Sequence, residues 1–183
     1  ATVDGEVRDH LRRFTPDEEP TTIGPRPLVV LHDARWPAVA PNGQIAYTGC
    51  VKGGCGIWTT WETGYAPDEA CCHIARGGSD TAPAWSPSGE RLAFTSREEG
   101  DFEIYVIGAT GAGRTRLTRS GGTNVGPTWS RDGQWIAYLS DRGGQWAVWV
   151  IKPDGSSEPQ KLFDLNALVD DAPNRRMDWA VNP

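Results

Sequence analysis

The sequence has no excess of positive charge. Its 18 Lys and Arg stand against 24 Asp and Glu, a formal net charge of −6 over 183 residues. Sequence-independent nucleic-acid binding needs a basic face to displace condensed counterions, so that class is excluded. Long apolar runs are also missing, and none approaches the ~18 residues that span a bilayer. No basic-then-apolar leader opens the chain, so an exported protein would be in its mature form here. Uninterrupted helix-length windows are few, because 22 Gly and 14 Pro punctuate the chain. Motifs of catalysis are absent too: there is no G-x-S-x-G, no P-loop and no H-E-x-x-H. His10, His32 and His73 are scattered, with no Ser or Cys partner in a local motif. What remains is ample for a core, with 38% hydrophobic residues and nine Trp. The composition points to a turn-rich, all-β domain, and no local motif points to an enzyme.

Self-similarity supplies the organisation. Pro37-Ala-Val-Ala-Pro-Asn-Gly43, Pro83-Ala-Trp-Ser-Pro-Ser-Gly89 and Pro127-Thr-Trp-Ser-Arg-Asp-Gly133 align, with their glycines 46 and then 44 residues apart (43 to 89 to 133). Downstream, Ile57-Trp-Thr59, Ile104-Tyr-Val106 and Val148-Trp-Val150 correspond. The separation from Tyr47 to Ile57, Phe94 to Ile104 and Tyr138 to Val148 is 10 in every copy. Each unit reads as four short strands. The first ends at a Pro/Ser/Asp/Gly turn, the second alternates large residues with a small Ala, the third is β-branched and aromatic, and the fourth carries a Leu. A four-stranded unit of roughly 40–45 residues is the size of a propeller blade, and an immunoglobulin-like sandwich does not predict such a recurrence.

Trp85-Ser-Pro-Ser-Gly-Glu-Arg-Leu-Ala-Phe-Thr-Ser96, then Glu103-Ile-Tyr-Val106, then Arg116-Leu-Thr118 resembles the WD40-like (PD40) repeat of TolB-like β-propellers. Trp129-Ser-Arg-Asp-Gly133, Tyr138-Leu-Ser-Asp-Arg142 and Val148-Trp-Val150 repeat it. The resemblance implies blades at about 34–76, 81–119 and 125–164, with a partial blade at 173–183 and an orphan outer strand at Leu28-Val-Val-Leu31, all within a propeller segment 28–183. Propellers of this family usually have six blades, more than this sequence supplies. A fragment of a longer chain, a four-bladed ring closed by the termini, or a dimer pooling blades would each accommodate that. Residues 1–27 read as an extension. Val7, Leu11 and Phe14 fall at helical spacing between Asp4 and Pro16, predicting a short helix, and 15–27 reads as a linker.

In an antiparallel meander the loops joining strands two and three share an end with the connections between units. Irregular loops on a rigid scaffold carry binding residues disproportionately. The candidate partner-binding positions are therefore Lys52, Arg97, Glu98, Glu99, Asp101, Asp141 and Arg142, although Asp141-Arg142 reads mainly as a structural turn pair. Cys50 and Cys55 flank a four-residue hairpin loop at that end. Residues facing each other there lie within disulfide reach, so they are expected to pair if the protein is exported. Cys71 and Cys72 are further disulfide candidates, since four cysteines permit three full pairings. Zinc lacks the paired short spacings its sites use. Asp164, Asn166, Asp170 and Asp171 offer hard oxygens that could suit calcium, but the spacing is not an EF-hand's, and a solvated acidic loop is the plainer expectation. No cofactor is expected.

The family resemblance implies an exported, periplasmic or extracellular protein whose role is protein interaction, scaffolding or self-association. A sensor or gating module of a larger peptidase or membrane kinase is the alternative. A carbohydrate-binding or propeller-type hydrolase would need carboxylates gathered from several blades.

Overall fold

A computed structural model describes residues 2–3, 6–7, 34–51, 54–61, 73–119, 121–165, 177 and 179. Every regular element among them is a strand. A small ladder joins β1 (Thr2–Val3) to β2 (Glu6–Val7). Val7, expected on a helix, is thus in a strand, and Leu11 and Phe14 lie outside the described residues, as do 15–27 and 28–31.

Three four-stranded antiparallel meanders follow, each in sequence order. The first blade holds β3 (Arg35–Val39), β4 (Gln44–Val51), β5 (Gly54–Trp61) and β6 (His73–Ala75). The second holds β7 (Thr81–Trp85), β8 (Arg91–Ser96), β9 (Glu103–Gly108) and β10 (Thr115–Arg116). The third holds β11 (Asn124–Trp129), β12 (Ile136–Ser140), β13 (Ala147–Ile151) and β14 (Gln160–Asp164). The fixed ten-residue separation is a fixed register. Tyr47 faces Trp58, Phe94 faces Tyr105 and Tyr138 faces Trp149, so each blade has the same cross-strand aromatic pair.

The alternation of small and large residues sorts them onto opposite faces of each sheet, and the faces of neighbouring blades pack together. Ala38, Ala46, Ile57 and Ala75 of the first blade meet Trp85, Leu92, Phe94, Tyr105 and Ile107 of the second. Ala93, Ile104, Val106 and Leu117 of the second meet Trp129, Ile136, Tyr138 and Ile151 of the third. Middle strands are consequently buried on both faces, as β12 is throughout. The far face of the third blade buries Ala137, Leu139, Val148 and Val150, with Leu165, Met177 and Trp179 packed against it.

Each junction repeats the same polar contacts. The Trp85 indole N–H donates to Ala38 O (3.2 Å) and that of Trp129 to Ala84 O (3.0 Å). The first strands bulge at equivalent places, where Trp36, Ala82 and Gly126 have φ of 51°, 52° and 62°. The bulge aims an amide back at the preceding blade: Ala82 N donates to Thr48 Oγ1 (3.2 Å) and Gly126 N to Thr95 Oγ1 (3.1 Å). At the opposite end the turns close on Gly43, Gly89 and Gly133, with φ of 85°, 72° and 69°, the left-handed region that glycine enters without steric cost.

Candidate functional site

The end that carries the β4–β5, β8–β9 and β12–β13 hairpins also carries the connections between blades, and the two sets of loops are bonded together. Arg97 N donates to Ser79 Oγ (3.2 Å), Asn124 N to Phe102 O (2.8 Å), and Thr123 N to Asp141 Oδ1 (2.6 Å). Leu165 N donates to Trp146 O (2.8 Å) in the same way.

Two ion-pair networks fix this end from below. Asp80, whose side chain is wholly buried, accepts from Gly77 N (2.9 Å) and from both terminal nitrogens of Arg114 (2.8 and 2.9 Å). Arg114 also donates to Ser96 Oγ (3.1 Å) and Glu98 Oε2 (3.0 Å), and its guanidinium lies over the rings of Phe94 (4.8 Å) and Tyr105 (4.7 Å). Burial works against the charge of Arg114, but the bonds and charges of Asp80 and Glu98 outweigh it and raise its pKa. The second network surrounds Glu103, which is 1% exposed. It accepts from Arg116 (2.8 Å), Asn124 Nδ2 (2.9 Å) and the Thr118 hydroxyl. Arg116 is likewise raised, burial being outweighed by Glu103 and then Glu99, with which it also pairs.

Arg114, Asp80 and Glu103 were not among the sequence candidates. Arg116 lies in β10 and Arg114 just before it, two basic residues spaced two apart. Glu103 is a lone charge between Phe102 and Ile104, at a position occupied by Gly56 and Ala147 in the sister blades. Those two signals were readable. The partner Asp80 was not, because it meets Arg114 only when the blade folds.

Of the predicted positions, Arg97, Glu98, Glu99 and Asp101 form an exposed run at the β8–β9 tip. Arg97 turns back on its own hairpin, donating from Nε to Gly100 O (2.8 Å) and lying over Phe102 (5.4 Å). Asp141 and Arg142 are half-buried. Besides the Asp141 bond to Thr123, the Arg142 guanidinium stacks on Trp149 at 3.5 Å and donates to Pro159 O (3.4 Å). Lys52 lies outside the described residues.

Cys50 and Cys55 are joined by a disulfide, directly opposite in the ladder with Cα atoms 4.0 Å apart. The pairing continues past them to Val51 and Gly54, so the loop is two residues long rather than four. A loop this short gives an entropic stabilisation of only about 2 kcal/mol. On the other face of β5, the His73 ring stacks on Trp58 at 4.0 Å and 7°. Burial, then the charge of Arg76, lowers the His73 pKa. Cys71 and Cys72 lie outside the described residues. So do Asn166, Asp170 and Asp171, while the Asp164 carboxylate is held by Lys161 (2.9 and 3.2 Å). No metal-ligating cluster of three or more His, Cys, Asp or Glu occurs among the described residues.

A family model for the TolB beta propeller domain (PD40) matches residues 34–167. The chain belongs to that family. The Tol-Pal system protein TolB of Desulfosudis oleivorans is 38% identical over 85 residues, covering 46% of this chain and 18% of that protein. Among solved structures, a putative TolB from Agrobacterium tumefaciens is similar with a TM-score of 0.66 and 28% identity, over 74% of this chain and 48% of that one. TolB from Acinetobacter baumannii gives 0.61 and 25%, over 70% and 32%. The chain thus spans less than half the length of each of these relatives. A puromycin-hydrolyzing peptidase of Mycobacterium tuberculosis, at 16% identity and a TM-score of 0.58, shares the fold alone. Within this TolB-type frame the three blades share their junctions and differ at the loop end, where the disulfide, the Asp80–Arg114 pair and Glu103 each belong to a single blade.

Proposed function

We propose that this TolB-type propeller segment is a non-catalytic protein-interaction module of the cell envelope or the extracellular space. It presents the loops of the hairpin end to a partner and needs no cofactor. The observation that carries this reading is the β8–β9 tip. Arg97, Glu98, Glu99 and Asp101 are exposed, yet Arg114 and Arg116, themselves held by buried carboxylates, tie down its root. A tip ordered before binding loses little conformational freedom on docking, which favours recognition. The acidic character suits a basic surface on the partner. The Desulfosudis relative is named as a Tol-Pal system protein, which supports an envelope location. We read Met177 and Trp179, packed on the third blade, as the start of a further inner strand within 173–183.

A photo-cross-linking residue at position 99 tests the reading, with one at position 158, on the opposite end, as control. Expressed in an exported parent protein, the first should yield a discrete covalent adduct and the second should not. Adducts from position 158 alone would refute the assignment of the binding end.

A further inference from the structure

We propose that Cys50–Cys55 is a thiol–disulfide exchange site that a dithiol can open while the blade stays folded. At the positions of these cysteines the other blades carry residues with structural tasks. Phe102 and Trp146, the counterparts of Cys55, pack against the core, and Asp141, the counterpart of Cys50, binds the Thr123 amide. Cys50 and Cys55 are instead both exposed. The bond replaces a packed aromatic with two exposed cysteine residues.

Up to the pair just below the bond, the sister blades hold the same hairpin without a disulfide. The β8–β9 and β12–β13 ladders end at Ser96 with Glu103 and Ser140 with Ala147, positions equivalent to Gly49 with Gly56. In the first blade the ladder runs two pairs further, through Cys50 with Cys55 and Val51 with Gly54. Below the disulfide, Thr48 with Ile57 and Tyr47 with Trp58 anchor the hairpin in the core. The flanking Gly49, Gly54 and Gly56 add no side chain to shield the sulfurs. An attacking thiolate therefore needs no unfolding to reach them, and access is a main determinant of exchange rate.

The chemistry balances as two exchanges. A thiolate of the dithiol attacks one cysteine sulfur, the Cys50–Cys55 bond breaks, a mixed disulfide forms, and the departing cysteine thiolate takes up a proton. The second thiol of the dithiol, as thiolate, then attacks the mixed disulfide. Two cysteine thiols result, and the dithiol leaves as its own disulfide, having supplied both electrons.

The test uses dithiothreitol on the whole chain, with and without denaturant, quenched by an alkylating agent and followed by peptide mapping. Mapping separates Cys50 and Cys55 from Cys71 and Cys72. The expected result is opening of Cys50–Cys55 in the folded protein at a rate within about tenfold of that in denaturant. A rate more than tenfold slower in the folded protein overturns the proposal. The Cys50→Ser, Cys55→Ser double variant gives a second reading that does not depend on exchange. Its melting midpoint should fall by no more than about 8 °C, and a larger fall or failure to fold contradicts the self-sufficient hairpin.

Discussion

Replacing Arg114 by Met removes the charge while keeping an unbranched side chain against Phe94 and Tyr105. Asp80 would then be a buried carboxylate with one donor, the Gly77 amide at 2.9 Å, having lost both guanidinium bonds. Removing one member of a buried pair costs about 3–5 kcal/mol. The Arg114 side chain is 24% exposed, so water reaches part of the vacated space, and the expected cost lies near the lower end. Loss of the cation–π contacts is of order 0.5–1 kcal/mol and falls within it. The expected total is about 3 kcal/mol, or a melting midpoint lower by roughly 6–12 °C for a domain of this size. Asp80→Asn should cost only about 1 kcal/mol. Its amide oxygen still accepts from Gly77, Arg114 still pairs with Glu98, and Asn124 fills the equivalent place in the third blade. Urea denaturation of the two single variants and the double variant gives the coupling energy directly. A cost below about 1 kcal/mol for Arg114→Met, or a larger cost for Asp80→Asn, would refute the argument that the buried carboxylate is the sensitive partner.

Tyr47 and Tyr138 are fully buried and their hydroxyls have no hydrogen-bond partner, while the second blade has Phe94 at the same place. Tyr138→Phe and Tyr47→Phe should therefore leave the urea midpoint unchanged or raise it, by up to about 1 kcal/mol of stability. The same burial pushes the Tyr138 phenol up to about 12, and that of Tyr47 upward as well. An unfolded tyrosine ionises near ~10, so the fold favours the protonated form. That contribution is complete below pH ~10 and is lost as the pH rises toward ~12, so stability should fall over that interval. Absorbance of ionised tyrosine should show these two titrating late or only on unfolding. Gly56→Ala would set a Cβ 2.2 Å from Ala75 O and 2.8 Å from His73 Nε2, at a φ of +149°. It should destabilise by about 3 kcal/mol or more, read as a lower urea midpoint and faster proteolysis near β6.

The frame of the molecule was legible because repetition makes register visible. The invariant separation from Tyr47 to Ile57 and from Tyr138 to Val148 makes the pairing of the second and third strands readable from the sequence. The alternation of Leu92-Ala-Phe94 marked the second strand, but which of its faces meets the following blade is set by the packing of the folded sheets. The disulfide was legible for the same reason, since the register sets Cys50 opposite Cys55. Its loop came out shorter than expected because Val51 and Gly54 extend the ladder, and nothing in their identities announces pairing. In the networks of the hairpin end, the spacing of Arg114 and Arg116 and the lone charge of Glu103 were readable, but their pairing was not. Arg114 leaves the chain between β9 and β10, and its long side chain runs over Tyr105 of β9 and Phe94 of β8 to Asp80. Contacts of that kind depend on side-chain reach and on the stacking of strands distant in sequence. No periodicity encodes them.

On the proposed function, the acidic tip of the hairpin end docks a partner while the opposite end does not. The most direct measurement is the affinity of a cross-linked and identified partner for three proteins: the unaltered chain, the Glu99→Lys, Asp101→Lys variant, and the Glu90→Lys, Glu158→Lys variant. All four positions are exposed, and each variant changes the net charge by the same amount. The first variant is expected to weaken binding at least about tenfold, mainly through the association rate, while the second binds as the unaltered chain does. Equal weakening by both would reduce the effect to net charge, and weakening by the second alone would place the interface at the wrong end of the propeller.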